Sequence, residues 1–245
     1  MFLRHLVFIA HGAAHHCQCF DEIATKLAQL NNYVFAHDHI GHGRSEGRRM
    51  QVDDFSIYLD DVMNHIERVK KDFKDVPCFI LGYSMGGTMA ILSSLRFPDV
   101  IKGMVLIAPP FNVNSIISKY KLLLYKTICP RAYVINFDFE FMIKDAEELK
   151  KYKEDELIWK GKFTARFLNC ARKAFEASMV KEIKCPYLLM HGSNDVACNI
   201  EESQKFFDLS SSEDKTFKRY EGGYHQLFTE GEDVISDIIQ WINNR

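Results

Sequence analysis

Apolar residues along the chain arrive in short dense runs separated by longer stretches of mixed pattern. Leu6-Val7-Phe8-Ile9-Ala10, Tyr33-Val34-Phe35-Ala36, Cys78-Phe79-Ile80-Leu81, Ile101 to Ile107 and Tyr187-Leu188-Leu189-Met190 are the dense runs. Runs of this length read as strands buried on both faces. Between them, apolar positions recur at helical spacing. Phe20, Ile23, Ala24, Leu27 and Leu30 share one face of a helix expected from about Cys19 to Leu30. Phe55, Tyr58, Leu59, Val62, Ile66 and Val69 form the stripe of a long helix, expected from an N-capping Asp53 to about Phe73. A helix closed by Pro98, one over Glu201 to Leu209, a strand over Thr216 to Tyr220 and a last helix over Val234 to Ile242 complete the series. Alternation of this kind predicts an α/β fold, with a mostly parallel sheet and helices on both faces.

The rhythm breaks from Phe111 to about Val180. No clean strand stands there, and Ile116, Ile117, Tyr120, Leu123, Leu124 and Ile128 form a helix-period patch of large apolar residues. We read residues 1–245 as a single domain carrying a helical cap inserted at about 111–180. Part of the cap's apolar surface is expected to meet lipid, as a peripheral membrane contact.

The sequence between two of these elements carries chemistry. Gly82-Tyr83-Ser84-Met85-Gly86 follows the Cys78 run and precedes a helix-compatible stretch. Strand, tight turn and helix with a serine at the tip is the G-x-S-x-G nucleophile elbow. Its sharp turn brings strand and helix backbones together, so the flanking positions exclude side chains. Asp195 and His225 each lie just beyond a later predicted strand, at the end of the sheet where such folds place catalysis. The order Ser84, Asp195, His225 is that of the α/β-hydrolase triad. Serine is a weak nucleophile, histidine takes and returns its proton, and aspartate holds the imidazole tautomer. His191 precedes Asp195 and so breaks this order. Backbone N–H groups of Met85 and of Ala13, in the loop after the first strand, are the expected oxyanion donors.

Composition narrows the partners. A net charge of −2 gives no reason to expect nucleic acid. No run approaches the roughly 18 apolar residues of a membrane span, and with charge at Arg4 breaking the N-terminal apolar stretch, no cleaved signal is expected. Seven cysteines without framework spacing favour a reducing, cytoplasmic compartment. His37-Asp38-His39 with His42 reads as a tight loop at a strand end. His15-His16-Cys17-Gln18-Cys19 is weak zinc spacing, so no metal is expected.

Phe35-Ala36-His37-Asp38-His39, Gly41-His42-Gly43, Ser45-Glu46-Gly47, Gly82 to Gly87, Gly103 to Ile107 and Tyr220-Glu221-Gly222 with His225 resemble monoglyceride lipase, a family with poxvirus-encoded members. The resemblance covers nearly the whole chain and implies an α/β-hydrolase fold. It also implies cofactor-free hydrolysis of long-chain monoacylglycerol to fatty acid and glycerol. Relaxed carboxylesterase activity is one alternative, and a truncated, non-catalytic lipid-binding relative is the other. The family's triad carries over onto Ser84, Asp195 and His225, and its oxyanion donors onto Ala13 and Met85. Cys198 matches a family cysteine near the site. Where the family has Gly-Glu this chain has Ala14-His15, and Phe228 stands where the family has a second histidine. His15 and Phe228 are therefore expected at the polar end of the substrate pocket, with weakened glycerol recognition. If the Ala14 position keeps the positive φ of a glycine, it costs about 1 kcal/mol. The family also begins with two strands that have no counterpart before Leu6. The Tyr33 strand is accordingly expected at an exposed sheet edge, where a second copy could pair.

Overall fold

The computed structural model describes residues 3–112, 125, 128–136 and 140–245. Its strands are β1 (His5–Ala10), β2 (Asn32–Ala36), β3 (Cys78–Tyr83), β4 (Ile101–Ile107), β5 (Tyr133–Asn136), β6 (Lys162–Thr164), β7 (Tyr187–Gly192) and β8 (Lys215–Tyr220). Six form one sheet in the order β2-β1-β3-β4-β7-β8, every neighbouring pair parallel. The helices whose bounds fall within the described residues are α1 (Asp21–Gln29), α2 (Ser56–Lys70), α3 (Met85–Arg96), α4 (Ala146–Glu154), α5 (Ala165–Ser178), α6 (Ile200–Leu209) and α7 (Glu232–Asn243).

The dense apolar runs are explained by burial on two sides. Leu6, Phe8 and Ala10 of β1 face a core shared with Tyr58, Val62 and Ile66 of α2 and Met89 of α3. Val7 and Ile9 point the other way, into a second core with Ile23 and Leu27 of α1 and Ile235 and Ile238 of α7. Successive side chains of a strand alternate between faces, so a strand covered on both must be apolar throughout. All six predicted sheet strands are present. Among the described residues β2 is one edge of the sheet, with Tyr33 exposed.

Register then positions the site. Ala10 of β1 lies level with Gly82 of β3, Tyr83 with Ile107 of β4, and Ile107 with Met190 of β7. The loops after β1, β3, β7 and β8 therefore open at the same end of the sheet, at the carboxyl ends of the strands.

Three expectations need correction. The second helix begins at Ser56, and the carboxylate that accepts the Ser56 N–H is Asp54, at 2.8 Å; Asp53 pairs instead with Arg166 at 2.9 Å. The first helix is two pieces, a 3₁₀ turn over Cys17–Phe20 and then α1. The inserted region carries a strand pair after all, β5 antiparallel to β6. Strands of four and three residues are too short to print an alternation. The patch from Ile116 to Leu124 lies outside the described residues, and Ile128 is exposed.

The described part of the insertion is tied to the sheet end. The Trp159 N–H donates to the Ala14 carbonyl at 2.9 Å, and the Gln226 N–H to Met142 at 3.0 Å. His16 meets Asp155 at 2.8 Å. Thr164 caps α5 by accepting the Phe167 N–H at 3.1 Å, while its hydroxyl donates to Met50 at 2.7 Å.

Candidate active site

Ser84 sits between β3 and α3 with φ 52° and ψ −120°. A residue with a Cβ pays roughly 1–3 kcal/mol for such a conformation. The flanking glycines are required by contact. A Cβ on Gly86 would lie 2.0 Å from the Ala10 carbonyl oxygen, and one on Gly82 2.3 Å from that of Gly86. The turn is thus wedged against β1, and the serine hydroxyl stands clear of the sheet.

The three sequence-selected side chains meet there. His225 Nε2 lies 3.0 Å from Ser84 Oγ, and His225 Nδ1 lies 2.7 Å from Asp195 Oδ2. With Nδ1–H donating to the carboxylate, Nε2 is left to accept the serine proton. The imidazole and carboxylate are shut off from solvent, with side-chain exposures of 1% and 0%. Burial pushes the Asp195 carboxyl up, but the imidazoles of His225 and His191 outweigh it and hold the group below the usual carboxylate range. Asp195 Oδ1 also accepts the backbone N–H groups of Ala197 and Cys198, at 2.8 and 2.9 Å.

His191, set aside in the sequence because it precedes Asp195, lies against the same carboxylate: its Nε2 is 2.9 Å from Asp195 Oδ2. The four-residue spacing between the two was the signal. It places them at the end of β7 and in the turn that follows.

Met85 is the first residue of α3, so no carbonyl one turn back exists for its N–H. Ala13 and Met85 both line the cavity at Ser84. The next residue, Ala14, has φ 68°, the left-handed conformation that favours glycine. His15 lies beneath this loop and not at the pocket wall. Its ring spans the Ala13 carbonyl at 3.0 Å and the Gln226 side-chain amide at 3.2 Å, against Tyr83. Burial lowers its pKa to about 4.

Phe228 requires the same correction. Its ring lies tilted against Phe20 with centroids 4.4 Å apart and packs edge-on to Tyr83 at 4.9 Å, inside the core between the sheet and α7. Its distance in sequence from His225 puts it in the 3₁₀ turn Leu227–Thr229, facing inward. Cys198 does line the pocket, and burial pushes its thiol well up. The rest of the wall is mostly apolar, with one polar side chain from Asn112 beside Pro110 and Ala197; the sequence reading does not single out its large members, Met142, Phe163, Phe167, Leu168, Ala171 and Phe175. Four of these lie on α5 at helical spacing, a signal that the sequence did contain.

His37-Asp38-His39 and the loop that follows form a brace at the end of β2. Asp38 accepts the Cys17 N–H at 2.8 Å and the Arg44 N–H at 2.7 Å, and Gly43 leaves room for that carboxylate. His11 Nε2 accepts the His39 N–H at 3.0 Å. Among the described residues, the His/Cys/Asp/Glu group compact enough to hold an ion is Asp195, Cys198 and His225, within the site itself.

Fold and site together define a serine hydrolase of the α/β-hydrolase class. Residues 3–232 match the family model described as serine aminopeptidase, S33. The chain is 36% identical to mouse (Mus musculus) monoglyceride lipase over 98% of its own length and 81% of that protein's. It is 35% identical to the monkeypox virus monoglyceride lipase homolog over 98% and 90%. It belongs to the monoglyceride lipase family. Among solved structures, the Paleococcus ferrophilus monoacylglycerol lipase superposes with a TM-score of 0.86 at 24% identity, covering 98% of this chain and 96% of that one. A soluble variant of the Saccharomyces cerevisiae monoglyceride lipase, in complex with a substrate analog, gives 0.85 at 21%, covering 99% and 87%.

Proposed function

We propose that the protein hydrolyses long-chain monoacylglycerols to fatty acid and glycerol through an acyl-enzyme on Ser84. The observation that carries this is the Ser84–His225–Asp195 chain opening onto a wall of phenylalanine and aliphatic side chains. Such a wall takes an acyl chain. No carboxylate among the described residues lines the pocket, which favours a neutral ester over the ammonium-bearing substrate of an aminopeptidase. The names of the relatives, monoglyceride and monoacylglycerol lipases, support the same substrate.

In this reading His225 Nε2 takes the Ser84 proton as Oγ attacks the ester carbonyl. The tetrahedral oxyanion is held by the N–H groups of Ala13 and Met85. Collapse breaks the bond to the alcohol oxygen, and His225 returns the proton to the departing glycerol. Water, deprotonated by the same imidazole, then releases the fatty acid. Asp195 fixes the tautomer throughout. No step calls for a cofactor.

Phe141 and Val196 are exposed and adjoin the pocket residues Met142 and Ala197. They support peripheral contact of the pocket rim with a lipid surface. The seven free cysteines support a reducing, cytoplasmic location. Among the described residues β2 is an edge strand with Tyr33 exposed, which supports pairing with a second copy there.

The test is fluorophosphonate labelling of the purified protein, with mass analysis of the labelled peptide. Modification at Ser84, absent from Ser84→Ala, is expected. A folded protein that takes no label, or takes it elsewhere, removes Ser84 as nucleophile.

A further inference from the structure

At the end of β7, one buried donor has no part in the mechanism above. His191 is fully buried and lies on β7. Its Nε2 faces two acceptors, Asp195 Oδ2 at 2.9 Å and the Cys198 carbonyl at 3.1 Å. Both atoms only accept, so Nε2 carries a hydrogen. Its other nitrogen, Nδ1, lies 2.8 Å from Ser203 Oγ on α6. Ser203 is itself fully buried. A hydroxyl can donate to a bare Nδ1, which fixes the neutral Nε2–H tautomer.

From this arrangement we infer that His191 is a positioning residue for Asp195: through Nε2–H it holds Oδ2, the oxygen that His225 uses, and Ser203 sets the tautomer that makes this possible. The inference rests on the hydrolase reading of Ser84, Asp195 and His225. Without His191, Oδ1 is still pinned by the Ala197 and Cys198 N–H groups, but Oδ2 can rotate about that anchor. With its charge spread over one donor fewer, the carboxylate also draws the His225 proton more strongly. The other titratable groups facing Asp195 are the Cys198 thiol, the Tyr83 phenol and the Glu230 carboxyl; Lys144 acts on Glu230. None of them changes in the variants below.

The experiment compares wild type, His191→Gln, His191→Leu and Ser203→Ala on a p-nitrophenyl ester, with melting curves to show that each is folded. Glutamine reaches Oδ2 with an amide N–H; leucine fills the space without a donor. His191→Leu is expected to lower kcat at least about tenfold with KM changed less than about twofold. It should also move the acid limb of kcat/KM to higher pH by about half a unit. His191→Gln should recover kcat to within about threefold of wild type and restore the limb. Ser203→Ala, which leaves every catalytic group in place, should move the limb the same way by a smaller amount. If His191→Leu does not fold, Ser203→Ala and His191→Gln decide alone. An unmoved acid limb in the leucine and alanine variants, or a glutamine variant as impaired as leucine, overturns the assignment. A wild type that does not turn over ester overturns the hydrolase reading instead, so the two failures are distinct.

Discussion

The backbone at Ser84 stores a cost that can be measured by removing it. Serine and alanine both carry a Cβ and both pay for φ 52° and ψ −120°; glycine does not. The penalty is about 1–3 kcal/mol. Against it stands the freer unfolded chain of glycine, about 0.4–1 kcal/mol. Ser84→Gly should therefore be more stable than Ser84→Ala by about 1 kcal/mol. Both variants lose the same hydroxyl and the same hydrogen bond to His225, so those losses cancel in the comparison. For a chain of this length the gain is a rise in Tm of about 2–4 °C. Urea unfolding and thermal melts of the two variants at one pH are the assay, and neither variant should hydrolyse ester. A glycine variant equal to or less stable than the alanine variant would refute the claim that the elbow is strained. The nucleophile would then owe its exposure to packing alone.

Two further outcomes follow from burial. Burial holds His15, His37 and His42 at about 4 and also lowers His11 and His39 well below the usual imidazole range, whereas in the unfolded chain each titrates near its ordinary value of about 6.5. Between those values the unfolded chain binds protons that the folded one does not. Stability is thus full above about pH 6.5 and falls as pH drops toward 4, each histidine contributing up to about 1.4 kcal/mol per pH unit. Melts should show Tm dropping steeply across that window, and a flat profile there would contradict the burial of these rings as neutral groups. Phe228→His should lower stability, by placing an imidazole between Phe20 and Tyr83. It should reduce kcat/KM on glycerol and methyl esters of one fatty acid in equal proportion; a selective gain on the glycerol ester would return Phe228 to the pocket.

The sheet was legible because its strands are covered on both faces and so are written as unbroken apolar runs. The elbow was legible because contact forbids any Cβ at Gly82 and Gly86, leaving a fixed pattern around Ser84. Asp195 and His225 followed from chain order and their places beyond strand ends. The resemblance points to a positive φ at Ala14, and its φ of 68° agrees. The rest depended on side-chain direction, which spacing in a loop does not encode. Phe228 is three residues from His225, yet a 3₁₀ turn points it into the core. His15 is two residues from Ala13, yet it turns beneath the loop toward Gln226. His191 was excluded by chain order, a rule about which histidine meets the serine. That rule is silent on which histidines meet the carboxylate. The β5–β6 pair escaped notice because three or four residues carry too little period to separate from loop.

Glycerol release from a long-chain 1-monoacylglycerol by wild type and Ser84→Ala tests the proposed function most directly. Wild type should release glycerol and fatty acid in equal amounts, and Ser84→Ala should fall by at least about 10³-fold while remaining folded. Wild type that is folded but releases no glycerol, or an alanine variant that releases it undiminished, would contradict the account.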